Sequence, residues 1–339
     1  MPTPLGHISG ELQDVREFVQ YGSVAPVISS TKAYTGNYSI RFAATTAGAG
    51  IAFPAKNNLR CGAWINHAGL VAGGAARILS LYASATEVAY IRWQSSDQSV
   101  QLKVNTTVRA SGSAAEVGIS PTNTWIHVGL TCQTGANGTI TFWVNGIARL
   151  TYTGAIAENI TLAYMGGRET IVSAFNNYAY MDDFYVDSDI DVSEAPPPDR
   201  FLMALPSGAG SSAQWTPNGA ATNHECVDDP IPNDDTDTVS ATAAGKLDLY
   251  TFGALTIPNG YSVEYLAPTA LAKVAAAGPT VQFVAANGVN ANLEGAERAP
   301  GTEYSYIWTP MAIGPDGNAW TQESIDAAQF GLKSAGSFS

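Results

Sequence analysis

The sequence predicts a mainly β protein made of two domains. Short runs in which apolar and polar side chains alternate recur about every ten residues, which is typical of a β-sandwich or jelly roll. The composition agrees, because 33 glycines and 18 prolines favour turns and only 13% of the residues are charged. A chain of 339 residues is also longer than one ordinary domain.

The clearest element is a hairpin within residues 125–146. Its first strand alternates, and the apolar face includes Cys132, which we expect to be a small buried side chain. Residues 135–138 read Gly-Ala-Asn-Gly and predict the turn, because Asn-Gly tolerates positive φ. Residues 139–144 alternate again, and Asn145-Gly146 predicts the turn that follows them.

Similar runs predict the other strands of the first domain. They lie at 34–42, 50–54, 61–65, 76–82, 88–93, 100–105, 160–167 and 178–186. The three consecutive prolines of 193–200 predict an extended, semi-rigid spacer. The predicted organisation is therefore a β-sandwich at 1–192, a linker at 193–200 and a second domain at 201–339.

The second domain is predicted to be β-rich with one short helix. Its strands are expected at 248–252, 262–266, 280–284 and 304–308. Residues 320–329 predict the helix, with Thr321 as the N-cap. Ile325, Ala328 and Leu332 would face the core.

The hairpin resembles the laminin-G-like and concanavalin A-like lectin sandwich. The residues that carry this resemblance are Trp125, His127, Val128, Leu130, Trp143, Val144, Asn145 and Gly146. The resemblance implies a concanavalin A-like jelly roll for 1–192, and it assigns no chemistry. We expect the His127 side chain to form hydrogen bonds on the outer face of the hairpin.

The second half resembles uncharacterised structural proteins of tailed bacteriophages over roughly 201–335. The segments that carry the resemblance are Leu205-Pro206, Trp215-Thr216-Pro217, Val227-Asp228-Asp229, Asp235-Thr236-Asp237, residues 248–252, Gly301-Thr302 and Trp320-Thr321. The resemblance implies a virion protein on the exterior of the particle. Its partners would be other virion proteins, and a homo-oligomer is expected by analogy.

Charge and composition argue against several classes of partner. A net charge of −13 disfavours binding to nucleic acid and to anionic membrane surfaces. The sequence shows no secretory signal and no apolar run long enough to span a membrane. Three widely separated cysteines favour neither a disulfide framework nor a zinc site.

Exposed aromatic side chains beside amides and carboxylates are the groups expected to bind a glycan. The candidates are Trp93, Trp143, Asn145, Asn176, Asn177 and Tyr178, although strand aromatics more often pack in a core. No other cofactor than Ca²⁺ is suggested. Candidate ligands for Ca²⁺ are Asp182, Asp183, Asp235 and Asp237, with solvent-facing or capping carboxylates as the alternative.

Three functions remain open from the sequence. The preferred prediction is a non-enzymatic tail or fibre component of a phage virion, whose lectin-like domain contacts host-surface glycan or mediates assembly. The alternative is a decoration protein on the capsid. A glycan-degrading enzyme is the least favoured, because neither a Glu-x-Asp-x-x-Glu arrangement nor a Ser-His-Asp constellation can be identified.

Overall fold

The computed structural model describes residues 2–21, 25–42, 48–70, 74–156, 159–166 and 179–338. The chain divides into two compact units, Met1–Phe201 and Leu202–Ser339. Among the described residues, no helix has the length and apolar character needed to cross a bilayer.

The N-terminal unit is built from short antiparallel strands. The strands are β1 (Thr3–Ile8), β2 (Val19–Tyr21), β3 (Val27–Ser29), β4 (Ser39–Phe42), β5 (Gly48–Lys56), β6 (Asn58–His67), β7 (Ala75–Ala83), β8 (Thr86–Gln94), β9 (Ser99–Val104), β10 (Thr107–Ser113), β11 (Ile126–Gln133), β12 (Gly135–Val144), β13 (Ile147–Ile156), β14 (Ile160–Gly166) and β15 (Ala179–Ser188). A 3₁₀ turn at Val15–Glu17 and a short helix α1 (Ala114–Val117) interrupt them.

These strands form two sheets that enclose one apolar core. The eight-stranded sheet has the order β13-β12-β11-β6-β15-β4-β3, with β1 paired to β15. The seven-stranded sheet has the order β10-β9-β8-β7-β14-β5-β2. Inward side chains such as Leu59, Val128, Leu81 and Leu102 are fully buried between the sheets. The predicted mainly β sandwich is therefore confirmed, and the buried Cys132 belongs to its core.

The hairpin of β11 and β12 differs from the prediction at its turn. The two strands pair from Val128 opposite Val144 to Gln133 opposite Thr139, as the alternation predicted. The last pair of the two strands is Gln133 opposite Thr139, so the chain reverses within 134–138, where the turn was predicted. Residues 135–138 also belong to β12 through pairing with β13, and Asn137 does not adopt the positive φ that was expected of it. Asn145 and Gly146 do form the next turn, with φ of 49° and 76°.

The predicted spacer packs against the N-terminal unit. The backbone carbonyl oxygen of Pro197 accepts a hydrogen bond from the Tyr185 hydroxyl at 2.7 Å, and that of Asp199 accepts one from Trp64 Nε1 at 3.1 Å. Pro196 lies over Gly129, where a Cβ atom would come within 2.6 Å of Cγ of the proline. The three prolines thus belong to a strap across the outer face of the eight-stranded sheet.

The second unit contains shorter strands around a smaller core. The strands are β16 (Pro206–Ala213), β17 (Thr216–Asn218), β18 (Thr238–Ser240), β19 (Leu247–Phe252), β20 (Thr269–Ala272), β21 (Pro279–Ala286), β22 (Leu293–Glu294), β23 (Ser305–Trp308) and β24 (Gln329–Gly336). The main sheet has the order β16-β19-β24-β21-β22, and two small sheets pair β17 with β18 and β20 with β23. Short 3₁₀ turns lie at His224–Cys226 and Asp234–Thr236.

The one predicted helix of this unit is present but shorter than expected. It is α2 (Gln322–Asp326), and Thr321 caps it by accepting a hydrogen bond from Ser324 N. The three side chains expected to face the core, Ile325, Ala328 and Leu332, do pack in the smaller core, although Leu332 lies on β24, which pairs with two neighbouring strands. The strand predicted at 262–266 is also wrong, because only Leu266 makes an isolated bridge there.

Candidate functional site

Polar and aromatic side chains cover the outer face of the seven-stranded sheet, which we call the tyrosine face. Ile91 on β8 and Leu102 on β9 point into the core. Their neighbours Tyr90 and Lys103 therefore project from the opposite side, because successive side chains of a strand alternate. The central members of this face are Gly50, Arg77, Ser80, Tyr82, Glu87, Tyr90, Arg92, Gln101, Lys103 and Tyr164.

Strand register places five of these residues in one row across the sheet. Gly50 of β5 lies opposite Tyr164 of β14, and Tyr164 lies opposite Ser80 of β7. Ser80 lies opposite Tyr90 of β8, which in turn faces Lys103 of β9. The absence of a side chain at Gly50 leaves space for the Tyr164 ring, which would collide with a Cβ atom there.

Arg77 holds the centre of the tyrosine face together. Its guanidinium lies 4.0 Å from the centroid of the Tyr90 ring and forms an ion pair with Glu87. Arg77 also donates to the Tyr82 hydroxyl at 3.3 Å, and that hydroxyl donates to Glu87 Oε1 at 2.8 Å. The Arg77 and Glu87 side chains are only 9% and 12% exposed, so this network forms the floor of the face rather than its accessible surface.

The accessible positive charge lies beside that floor. Arg92 and Lys103 are half-buried, and Lys103 Nζ lies 5.5 Å from the centroid of the Tyr90 ring. Arg92 donates to Gln94 Oε1 at 3.0 Å. Strands β7, β8 and β9 carry three cationic side chains and one carboxylate, whereas the whole chain has a net charge of −13. The face therefore offers cations and amides to a ligand that carries carboxylates.

The three glycan candidates within the described residues, Trp93, Trp143 and Asn145, do not lie on this face. Trp93 is only 3% exposed and belongs to the core, where it packs edge-to-face against His67. Trp143 is half-buried on the other sheet and donates through Nε1 to Thr131 at 3.1 Å. The Asn145 side chain accepts from His127 N at 3.0 Å and so stabilises the turn. Residues 176–178, which include the candidates Asn176, Asn177 and Tyr178, lie outside the described residues.

The expectation that the His127 side chain forms hydrogen bonds is wrong for its Nε2 atom. Its side chain is 2% exposed and lies 5.2 Å from the Trp64 ring, centroid to centroid. Its Nε2 atom is buried and has no hydrogen-bond partner among the described residues. Burial lowers the pKa of His127 to about 4, so the ring is neutral at physiological pH.

The four candidate calcium ligands fall in two parts of the fold, with Asp182 and Asp183 adjacent on β15 and Asp235 and Asp237 in the second unit. Asp182 accepts from Tyr34 N at 2.7 Å, from Thr35 N at 3.2 Å and from Asp183 N at 2.9 Å, which matches the capping alternative. Asp183 accepts from Phe201 N at 3.1 Å. Burial raises the pKa of both carboxyl groups, and their mutual repulsion raises that of Asp182 further.

The other two aspartates are not brought to one ion. Asp235 accepts from Lys273 Nζ at 2.6 and 2.8 Å and from the Tyr304 hydroxyl at 3.0 Å, and the hydrogen bond from Lys273 lowers its pKa. Asp237 instead lies beside the Cys226 thiol. Across the described residues, no group of three or more His, Cys, Asp or Glu side chains is arranged to hold a metal ion.

Sequence reasoning missed the tyrosine face. Carboxylate pairs and a Ser-His-Asp constellation are the patterns considered in the sequence, whereas this face combines arginine, lysine and tyrosine side chains. The available signal was the polar half of the alternation in β8 and β9, where Tyr90, Arg92, Gln101 and Lys103 occur within a short stretch. The register that adds Ser80 and Tyr164 to them could not be obtained from the alternation itself.

Neither a family model nor a curated protein matches this chain. Among solved structures, an endo-β-1,4-glucuronan lyase from the fungus Trichoderma reesei is 10% identical, with a TM-score of 0.40, over 59% of this chain and 100% of its own. Alginate lyase vAL-1 from Chlorella virus is 10% identical, with a TM-score of 0.39, over 55% and 100%. Domain 4 of the arabinanase AbnA from Geobacillus stearothermophilus, in complex with arabinotriose, is 13% identical, with a TM-score of 0.36, over 55% and 93%. These similarities concern the fold alone.

The predicted function is corrected by this comparison. The chain was expected to be a non-enzymatic virion component on a phage tail or capsid. The similar structures instead include glucuronan and alginate lyases, an arabinanase domain in complex with arabinotriose and the receptor-binding domain of botulinum neurotoxin D, and none named among them is a phage structural protein. The resemblance of 201–335 to phage proteins, the location on a virion, the virion and oligomeric partners and the use of Ca²⁺ stay predictions.

Proposed function

We propose that the N-terminal unit binds an acidic polysaccharide, one built from uronate sugars, along the tyrosine face. The observation that carries this proposal is the row from Tyr164 to Lys103, bordered by Arg77 and Arg92, on a protein that is otherwise acidic. Acidic polymers are repelled by most of such a surface. A local cluster of cations therefore supplies both affinity and a defined place of binding.

The half-buried side chains would make the contacts. Arg92 presents a planar guanidinium that suits a carboxylate, and Lys103 adds a point charge beside it. Gln94 and Gln101 can exchange hydrogen bonds with sugar hydroxyls. Arg77 is already paired with Glu87 beneath them, so its role is to hold Tyr90 and Tyr82 in place.

The proposal is tested by binding to a soluble polyuronate. Affinity electrophoresis or calorimetry should show binding by the wild type, and Lys103→Gln and Arg92→Gln should each weaken it about 10- to 100-fold, the loss expected when one charged hydrogen bond is removed. Lys56→Gln, on the same unit but away from β7–β9, is the matched control and should bind as the wild type does. Equal affinity of all four proteins would contradict the proposal.

Elimination of the bound uronate is a second candidate function, favoured by the placement of phenol and amine groups within one row. In that reaction a base removes the proton next to the carboxylate, the bond from the neighbouring carbon to the glycosidic oxygen breaks, and an acid protonates that oxygen. A carbon–carbon double bond remains in the sugar. Lys103 is the accessible group placed to exchange these protons, and Tyr90, which is 3% exposed with its ring centroid 5.5 Å from Lys103 Nζ, would act through Lys103 while the Arg92 guanidinium neutralises the carboxylate.

The unsaturated product absorbs ultraviolet light, so a spectrophotometric assay separates the two functions. Growth of this absorbance in the wild type, and its loss in Tyr90→Phe with retained binding, would establish elimination. Binding without any product would leave a binding module. The comparison also requires circular dichroism of Tyr90→Phe, because its ring packs beneath Arg77.

A further inference from the structure

Three oxygen-bearing side chains meet at the turn formed by Thr35 and Gly36, away from the tyrosine face. The Glu11 carboxylate lies against Gly36, where a Cβ atom would come within 2.5 Å of Oε1 and 2.8 Å of Oε2. Oε1 accepts hydrogen bonds from Asn37 N at 2.9 Å and from Tyr38 N at 2.7 Å. Both of these bonds go to Oε1.

Asp183 approaches the same turn from β15. It is 1% exposed, and a φ of 49° turns its backbone away from the regular strand. Its Oδ1 atom accepts from Phe201 N, but its buried Oδ2 atom has no hydrogen-bond partner among the described residues. The same is true of Thr35 Oγ1, in a residue that is 7% exposed.

These groups are close enough to affect one another. The hydroxyl of Thr35 lowers the pKa of Asp183, and the charge of Glu11 raises it. The hydroxyl and Asp183 Oδ2 nevertheless lack the geometry of a hydrogen bond. Asp183 and Thr35 therefore each bring one buried oxygen atom without a hydrogen-bond partner among the described residues to this turn, and the Glu11 carboxylate lies against the same turn.

Such an arrangement is costly unless something else occupies it. A buried carboxylate oxygen without a partner loses its hydration without compensation, and a second carboxylate nearby adds repulsion. Ca²⁺ removes both costs, because it accepts six to eight oxygen ligands of mixed kind, including carboxylates, hydroxyls and water. Asp182 needs a cation less than Asp183 does, because its two oxygens already accept three backbone hydrogen bonds.

We propose that Glu11, Thr35 and Asp183 form a site for a divalent cation of the calcium type. The ligand set differs from the aspartate pairs considered from the sequence, since it contains one residue of the Asp182-Asp183 pair and two residues distant in the chain. The cation would tie the segment after β1 and the turn before β4 to β15. Binding would stabilise the N-terminal unit and does not depend on its binding of polysaccharide.

A structural alternative is that Arg200 supplies the compensating charge. Arg200 lowers the pKa of Asp183, and it donates through Nη2 to the Tyr34 hydroxyl at 2.9 Å. If this guanidinium balances the charge of the two carboxylates, no metal ion is required. The two possibilities differ in their response to chelation, which a protein neutralised by Arg200 would not show.

The test is thermal unfolding of the full chain after chelation, with and without added CaCl₂. At 100-fold the dissociation constant, binding to the folded state alone should raise Tm by about 5–10 °C. Asp183→Asn and Glu11→Gln should each abolish this shift. In the chelated state both variants should unfold at or above the wild-type temperature, because each removes repulsion. Asp191→Asn, an exposed carboxylate that accepts from Ser193, is the control and should keep the shift.

Terbium luminescence on the wild type gives a second readout that needs no folded variant. The ion should bind one site, be displaced by Ca²⁺ and be sensitised by the nearby Tyr34 and Trp64 rings, which stack at 3.7 Å. Identical Tm in chelator and in CaCl₂, together with no terbium signal, would overturn the proposal. A shift that survives in both Asp183→Asn and Glu11→Gln would overturn it equally, because the ion would then bind elsewhere.

Discussion

The buried imidazole of His127 should make the N-terminal unit sensitive to acid, and His127→Gln tests this. The ring is 2% exposed beside Trp64, and burial lowers its pKa from 6.5 to about 4. The folded state therefore keeps the ring neutral at a pH where the unfolded chain binds a proton. The stability that this difference contributes is present above pH 6.5 and is lost as the pH falls towards 4.

The size of the effect follows from the interval between the two pKa values. Between pH 6.5 and pH 5, the neutral ring lowers the free energy of unfolding by about 2 kcal/mol, because one such group contributes about 1.36 kcal/mol for each pH unit. Urea unfolding at pH 7 and pH 5, followed by tryptophan fluorescence, should show that the loss of stability is smaller by about this amount in His127→Gln than in the wild type. His224→Gln, which alters a half-buried ring of the second unit, is the control. An equal loss in the wild type and in His127→Gln would refute the reasoning.

Three further substitutions test the packing described above. Leu130→Ala, at a fully buried position of β11, should destabilise the N-terminal unit by about 2–5 kcal/mol in urea unfolding. Tyr185→Phe removes the hydrogen bond to Pro197 and should cost about 1 kcal/mol, whereas a free spacer would show no change. Gly50→Val should displace the Tyr164 ring and weaken polyuronate binding while the circular dichroism spectrum remains that of a β protein. Unchanged binding would show that Tyr164 is not part of the binding site.

The parts of the fold that depend on local alternation could be predicted from the sequence. Strands β8, β9 and β12 were expected close to where they lie, because one buried face imposes a period of two. Asn145-Gly146 was identified as a turn because positive φ suits both residues.

Features that depend on packing between distant segments were not predictable in this way. The prolines of 193–200 predicted a spacer, but Pro196 packs against the sheet because Gly129 has no side chain. Residues 329–336 follow the predicted helix, yet they form a strand because they pair with β19 on one side and with β21 on the other. The tyrosine face depends on five strands in register, so none of its members looked distinctive alone.

The most direct test of the central claim compares one polyuronate with its carboxyl-reduced form. The two polymers share their backbone and linkage and differ in charge, so the comparison isolates the contribution of the cations on the tyrosine face. The account predicts that the wild type binds the acidic polymer, that increasing salt weakens this binding, and that the reduced polymer binds at least about tenfold more weakly. Equal binding of the two polymers, or binding of neither, would contradict it.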